Sequence, residues 1–176
     1  MGPADRLALC ALLLTGSAHS ADAPIAPVGL HTAVAGDWRT ARWGMSLEEI
    51  LAAFPGQARR IAPEIKLQDG NVVAAGFEGH VVAAQEFQVR FVFAGGKLAL
   101  VSLRTPPSRY ADPGVFKRVV AALASELGPP ASSEADDNLI DVRQTRWNVG
   151  RTQVDLKFIP GVVVILYHPR TATPGD

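Results

Sequence analysis

Two segments repeat one strand–turn–strand pattern, and this repetition restricts the fold of the chain more than any other feature. Residues 87–103 read FQVRFVFAGGKLALVSL and residues 152–167 read TQVDLKFIPGVVVILY. Apolar residues occupy every second position in the first strand of each segment, which is typical of a strand with one buried face. The alternation sets Val89, Phe91 and Phe93 against Gln88, Arg90 and Val92, and Val154, Leu156 and Phe158 against Gln153, Asp155 and Lys157. Both segments therefore predict antiparallel hairpins.

A helix is predicted before the first hairpin, over residues 46–54. Ser46 and Glu49 have the spacing of a capping box, in which each satisfies a backbone N–H at the start of a helix. Met45 and Ile50 have the spacing of a hydrophobic staple, and a Pro-Gly pair follows the helix. Capping explains Ser46 and Glu49 without a catalytic role, and no Gly-x-Ser-x-Gly motif is present.

A second helix is predicted over residues 112–128, before the second hairpin. Asp112 is a good N-cap, Pro113 suits the first helical position, and Gly128 ends the apolar period. The order of predicted elements, a helix and strands followed by a second helix and strands, predicts an α+β fold. We expect a tandem αβββ repeat with an antiparallel sheet and two helices on one face. The open face would then carry the candidate binding residues Gln88, Arg90, Gln153, Asp155 and Lys157.

The first twenty residues are predicted to be a signal peptide. Arg6 precedes the apolar run 7–14, and Ala18-His19-Ser20 fits a cleavage site. A run of this length cannot span a bilayer, which requires about 20 residues, so we expect no membrane span after cleavage. A loosely ordered segment follows over residues 21–36, then a single domain over 37–169 with halves of about 37–107 and 108–169, and a frayed tail over 170–176.

Charge and cysteine content exclude several classes of function. The chain has 17 basic and 17 acidic residues without a basic stripe, which argues against nucleic acid as a partner. Its single cysteine, Cys10, lies within the predicted signal peptide, so the mature chain is expected to have neither a disulfide nor a thiolate metal site.

Four other motifs have simple structural interpretations. Glu78 and His80, two apart on a predicted strand, could begin a metal site, but an ordinary surface or half-buried histidine explains the pattern better. Residues 132–138, SSEADDN, indicate a solvated loop, and residues 94–97, AGGK, a hairpin turn. Trp43 and Trp147 are predicted to lie in the core, whereas the sequence leaves the position of Trp38 open.

The WGMSLEE opening resembles the repeat unit of the secreted β-lactamase-inhibitor protein and of the small lipoprotein in the outer-membrane assembly machine. It is also similar to a broad set of small exported bacterial proteins of unknown function. The resemblance implies a structural role for the shared positions and carries over no functional residue. The matching positions are Trp43, Gly44, Met45, Ser46, Glu48 and Glu49, then Leu127, Gly128 and Pro130, and finally Trp147.

These observations predict a periplasmic or secreted, non-enzymatic protein that binds or helps to assemble another envelope or secreted protein. No catalytic residue, metal ligand or cofactor is assigned, and the oligomeric state is left open. The alternative is a small-ligand binding protein or hydrolase with a pocket between the sheet and the helices.

Overall fold

The computed structural model describes residues 37–107, 110–136 and 142–170. The elements are α1 (Leu47–Ala53), β1 (Arg59–Lys66), β2 (Val72–Val82), β3 (Gln85–Ala94), β4 (Lys97–Arg104), α2 (Pro113–Leu127), β5 (Ser132–Asp136), β6 (Val142–Val149), β7 (Thr152–Ile159) and β8 (Val162–Pro169). The strands form one antiparallel sheet in the order β1-β2-β3-β4-β8-β7-β6-β5. The predicted α+β class is confirmed. The predicted signal peptide, the segment 21–36 and residues 171–176 of the tail lie outside the described residues.

Local side-chain chemistry begins both helices, as predicted. The Ser46 hydroxyl accepts from the Glu49 backbone N–H, and the Glu49 carboxylate accepts from the Ser46 backbone N–H at 2.8 Å, which completes the capping box. These bonds lower the pKa of Glu49, the bond from the Ser46 backbone contributing most. The Asp112 carboxylate accepts from the Val115 backbone N–H at 3.0 Å, and Pro113 is the first residue of α2.

Within the described residues four strands follow each helix, so the predicted three per half were wrong. In the second half, the predicted solvated loop contains β5, which pairs with β6. Polar residues are tolerated there because β5 is the outermost strand, and Ser133 and Glu134 are exposed. In the first half, β2 and β3 are separate strands joined at Ala83 and Ala84, whose φ values are 50° and 60°. This turn was missed because glycine or asparagine normally occupies such positions.

The three tryptophans anchor the core to different elements. Trp38 is 2% exposed, and its ring stacks on Phe54 at the end of α1 with centroids 5.8 Å apart. Trp147 is buried as predicted, and its indole N–H donates to the Gly128 carbonyl at 3.0 Å. Trp43 is only half-buried, although it packs against the core, and its indole N–H donates to Thr152.

Strand register shows which residues share a face, because directly opposed residues in an antiparallel pair point the same way. One buried row crosses five strands through Phe91, Val101, Tyr167, Val154 and Trp147. The alternate residues form the opposite side, here called the polar face. It includes Gln88, Arg90, Ser102, Arg104, Gln144, Arg146, Asn148, Gln153, Asp155, Lys157 and His168, together with the apolar Val92, Leu100, Val164 and Leu166.

Candidate functional site

The register places all five predicted binding residues on the polar face, but in two separate groups. Gln88 and Arg90 lie on β3, and Gln153, Asp155 and Lys157 lie on β7. Because β4 and β8 intervene, the two groups are three strand spacings apart, about 14 Å. They can therefore belong to one extended surface but not to one small-molecule site.

Asp155 is the centre of a dense hydrogen-bonded group on this face, here called the Asp155 cluster. Its Oδ1 accepts from Arg146 Nε at 2.7 Å and from Gln144 Nε2 at 3.4 Å. Its Oδ2 accepts from Gln153 Nε2 at 2.8 Å and lies 2.8 Å from His168 Nε2. Four donors from three neighbouring strands therefore surround one carboxylate.

Asp155 is buried, which corrects the expectation that it faces solvent. It is 5% exposed because the longer side chains around it cover the carboxylate. Burial is the largest single influence and raises the pKa of Asp155, but the hydrogen bonds from His168, Arg146 and Gln153 together outweigh it and lower the pKa. The hydrogen bond to Asp155 is also the main reason why the pKa of Arg146 is raised. The cluster therefore holds a buried negative charge with compensating donors.

His168 lies between two hydrogen-bond acceptors. Its Nε2 faces Asp155, and its Nδ1 lies 3.2 Å from the Pro169 carbonyl oxygen. The ring is thus held between β7 and its own strand end by polar contacts at both nitrogens.

The cluster presents a guanidinium group in a fixed orientation. Arg146 contacts Asp155 through Nε at 2.7 Å, and its side chain is 39% exposed, so the side chain is open to solvent in part. Lys157 lies diagonally across from Arg146, because Gln144 is the residue directly opposite Lys157. Such diagonal positions are about 7–8 Å apart in an antiparallel pair. The geometry suits the binding of an anion; it does not suit general-base chemistry by Asp155, since both of its oxygens already accept hydrogen bonds.

Glu78 and His80 do not share a face, so the predicted basis for a metal site was wrong. A register shift between Phe77 and His80, with Gly79 at φ 78°, turns them apart. Glu78 pairs with Arg90 at 3.0 Å, whereas His80 is 6% exposed and lies against Trp38 and Phe77.

His80 is therefore a core residue rather than a surface or half-buried one. Its burial, with a smaller repulsion from Arg39, lowers its pKa to about 4. No group of three or more histidine, cysteine, aspartate or glutamate side chains within residues 37–107, 110–136 and 142–170 could hold a metal ion. His31, the remaining predicted mature histidine, lies outside these ranges.

Three members of the Asp155 cluster were missed by the sequence interpretation: Gln144, Arg146 and His168. Their positions carried a usable signal, since Arg146 precedes the buried Trp147 and His168 follows the buried Tyr167. Alternation along β6 and β8 would have assigned all three to the polar face. Their contacts with Asp155 required the pairing register of three strands.

Comparison with known proteins finds no matching family model, no matching curated protein and no matching solved structure. In the part of the chain that the structure describes, neither helix has the length and apolar character needed to cross a membrane.

Proposed function

We propose that this chain is an exported, non-enzymatic protein that binds another envelope or secreted protein on its polar face. The observation that carries the proposal is the Asp155 cluster. Burial of a carboxylate is costly unless hydrogen-bond donors compensate its charge. Here the same bonds fix the positions of two of the donors, Arg146 and His168. Fixed polar groups lose little side-chain entropy on association, which favours specific binding.

The composition of the polar face supports a protein partner. Half-buried apolar residues, Val164 and Leu166, lie beside the charged side chains of the cluster. Protein interfaces combine an apolar centre with polar groups that fix orientation. The width of the face, from Arg90 on β3 to Arg146 on β6, also suits a macromolecule better than a small ligand.

The two helices cover the opposite face in this proposal, which leaves the polar face available. Phe54 packs against Phe91 with ring centroids 5.2 Å apart, and Phe116 against Phe158 at 6.2 Å. The strand register places Phe91 on the same face as Val154. Phe158 lies four residues after Val154 on β7, so it points to that face as well. We also infer that a tandem duplication produced the two helix-plus-four-strand halves, since each meander runs from an edge strand, β1 or β5, inward to the central β4–β8 pair.

Export is supported by the sequence at the start of the chain. The apolar run 7–14 and the small residues at 18–20 suit a cleaved signal. The proposed mature chain is free of cysteine, so its folding does not depend on the redox state of the compartment that receives it. The resemblance to small exported bacterial proteins points to the same location.

The alternative, a ligand pocket between the sheet and the helices, has weaker support. A ligand site needs polar groups directed into an apolar cavity. Two polar groups buried on that side already have protein partners: Thr152 accepts from Trp43 at 3.0 Å, and Thr145 contacts Ser133 at 3.2 Å. We therefore favour the polar face.

Affinity capture with charge-reversal variants tests the proposal. Arg90→Glu and Lys157→Glu should each reduce recovery of a defined partner from an envelope extract of the native host. Lys117→Glu, at an exposed position of α2, is the matched control and should leave recovery unchanged. Circular dichroism verifies that each variant is folded. Equal recovery with all three variants would exclude the polar face as the binding surface.

A further inference from the structure

We propose that the polar face recognises an acidic segment of its partner, with a glutamate or aspartate carboxylate bound between Arg146 and Lys157. This inference deepens the proposed function and rests on it.

The charge balance of the face supports an anionic partner. On the polar face of β4, β6, β7 and β8, the basic side chains are Arg104, Arg146 and Lys157, and Asp155 is the acidic one. The charge of Asp155 is buried and compensated within its cluster, so it presents little negative charge to a partner. Glu134, on the outermost strand, lies across from Gln144 and attracts Arg146 from the rim of this region. With Asp155 and Glu134 both counted, the three basic side chains still leave the centre of the face with a net positive charge.

The orientation of Arg146 favours a carboxylate. The bond to Asp155 uses Nε, which leaves the two Nη groups of this partly exposed side chain outside that contact. Two parallel N–H donors match the two oxygens of a carboxylate. Lys157, a diagonal neighbour, can supply a third donor to the same group. Leu166, directly opposite Asp155 on β8, provides an apolar surface for the residue beside the acid.

A polyphosphate or an anionic membrane is a poorer match to this surface. Those ligands are held by clusters of many cations, whereas this chain has no net charge and the cations here flank a compensated carboxylate. One guanidinium with one ammonium suits a singly charged group. An acidic protein segment therefore fits better than a phosphate-bearing ligand.

Titration with short peptides, followed by NMR of the ¹⁵N-labelled protein, tests the inference. The probe is acetyl-Gly-Val-Glu-Val-Glu-Gly-amide, and the matched control has glutamine in place of both glutamates. The glutamate peptide should shift the Arg146 Nε–H signal and the backbone amides of residues 144–146 and 155–157. Lys157→Gln should weaken binding about two- to fivefold, as expected for a charge pair at the protein surface, and Lys117→Gln should not weaken it.

Inorganic phosphate and vesicles containing an anionic phospholipid serve as competing probes. If either shifts the same signals at lower concentration than the glutamate peptide, the acidic-segment proposal is overturned in favour of a phosphate ligand. Equal shifts with the glutamine peptide would overturn the acidic preference but leave the polar face as a docking surface. The absence of any shift on this face at millimolar peptide would also overturn it, whereas the proposed function would still be decided by the capture experiment.

Discussion

Replacing Asp155 by asparagine should destabilise the protein by about 2–3 kcal/mol at neutral pH. Asparagine keeps the shape of the side chain but removes its charge and one acceptor oxygen. Its carbonyl oxygen can still accept from Arg146, but its amide nitrogen would face the donors of Gln153 and His168. The variant thus loses two hydrogen bonds and gains an unfavourable contact between donors.

The magnitude follows from the number and exposure of these bonds. A hydrogen bond to a charged group contributes about 1.5–3 kcal/mol, so two would give about 3–6 kcal/mol. The side chain of His168 is 30% exposed and can regain water in the variant, which lowers the expected loss to the range above. Urea unfolding measures the difference, and Glu64→Gln, at an exposed position of β1, should stay within about 0.5 kcal/mol of wild type.

The pH dependence of the difference gives a second check. Because the pKa of Asp155 is lowered in the folded protein, its stabilising contribution is present above the unfolded value of about 3.9 and is lost as pH falls through the folded value. The gap between wild type and Asp155→Asn should accordingly shrink in acid. A gap below 0.5 kcal/mol at neutral pH, or one unchanged at about pH 2, would refute the reasoning.

Three further predictions concern the fold. The pKa of His80 is about 4 in the folded protein and about 6.5 in the unfolded chain. Relative to His80→Phe, the wild-type free energy of unfolding should therefore fall by about 3 kcal/mol between pH 6.5 and pH 4, as measured by urea unfolding. The same pH dependence of stability in both proteins would contradict this. Ser46→Ala should lower the free energy of unfolding by about 1 kcal/mol through loss of the cap, and Ser125→Ala within α2 should not; equal effects would exclude a capping role. Ala84→Gly should stabilise the protein by about 0.5 kcal/mol because φ is positive at Ala84, whereas Ala121→Gly in α2 should destabilise it by about 1 kcal/mol. Changes in the free energy of unfolding of the same sign at both sites would argue against strain at Ala84.

The sequence predicted those parts of the fold that depend on neighbouring residues. Ser46 with Glu49, and Asp112 with Pro113, define helix starts through contacts within four residues, and both helices were predicted within one residue at each end. Alternation along β3 and β7 likewise predicted the strands and their polar sides. The turn at Ala83 and Ala84 could not be predicted, because the tight connection overrides the intrinsic preference of alanine.

The candidate site was only partly predictable for a related reason. Alternation identified Asp155 and Gln153 as polar-face residues. It could not show that Arg146 from β6 and His168 from β8 would lie beside Asp155, because that contact depends on how three strands align. The burial of Asp155 has the same origin, since side chains from neighbouring strands cover it. The position of Trp38 was left open because its ring contacts come from residues distant in sequence.

Site-specific photo-crosslinking in the native host is the most direct test of the claim that a partner protein occupies the polar face. A photoreactive residue is placed at Ser102, near the middle of this face, and in a matched variant at Lys117 on the exposed side of α2. We expect one defined crosslinked species from position 102 that excess unlabelled protein competes away, and none from position 117. Crosslinking from position 117 but not from position 102 would contradict it.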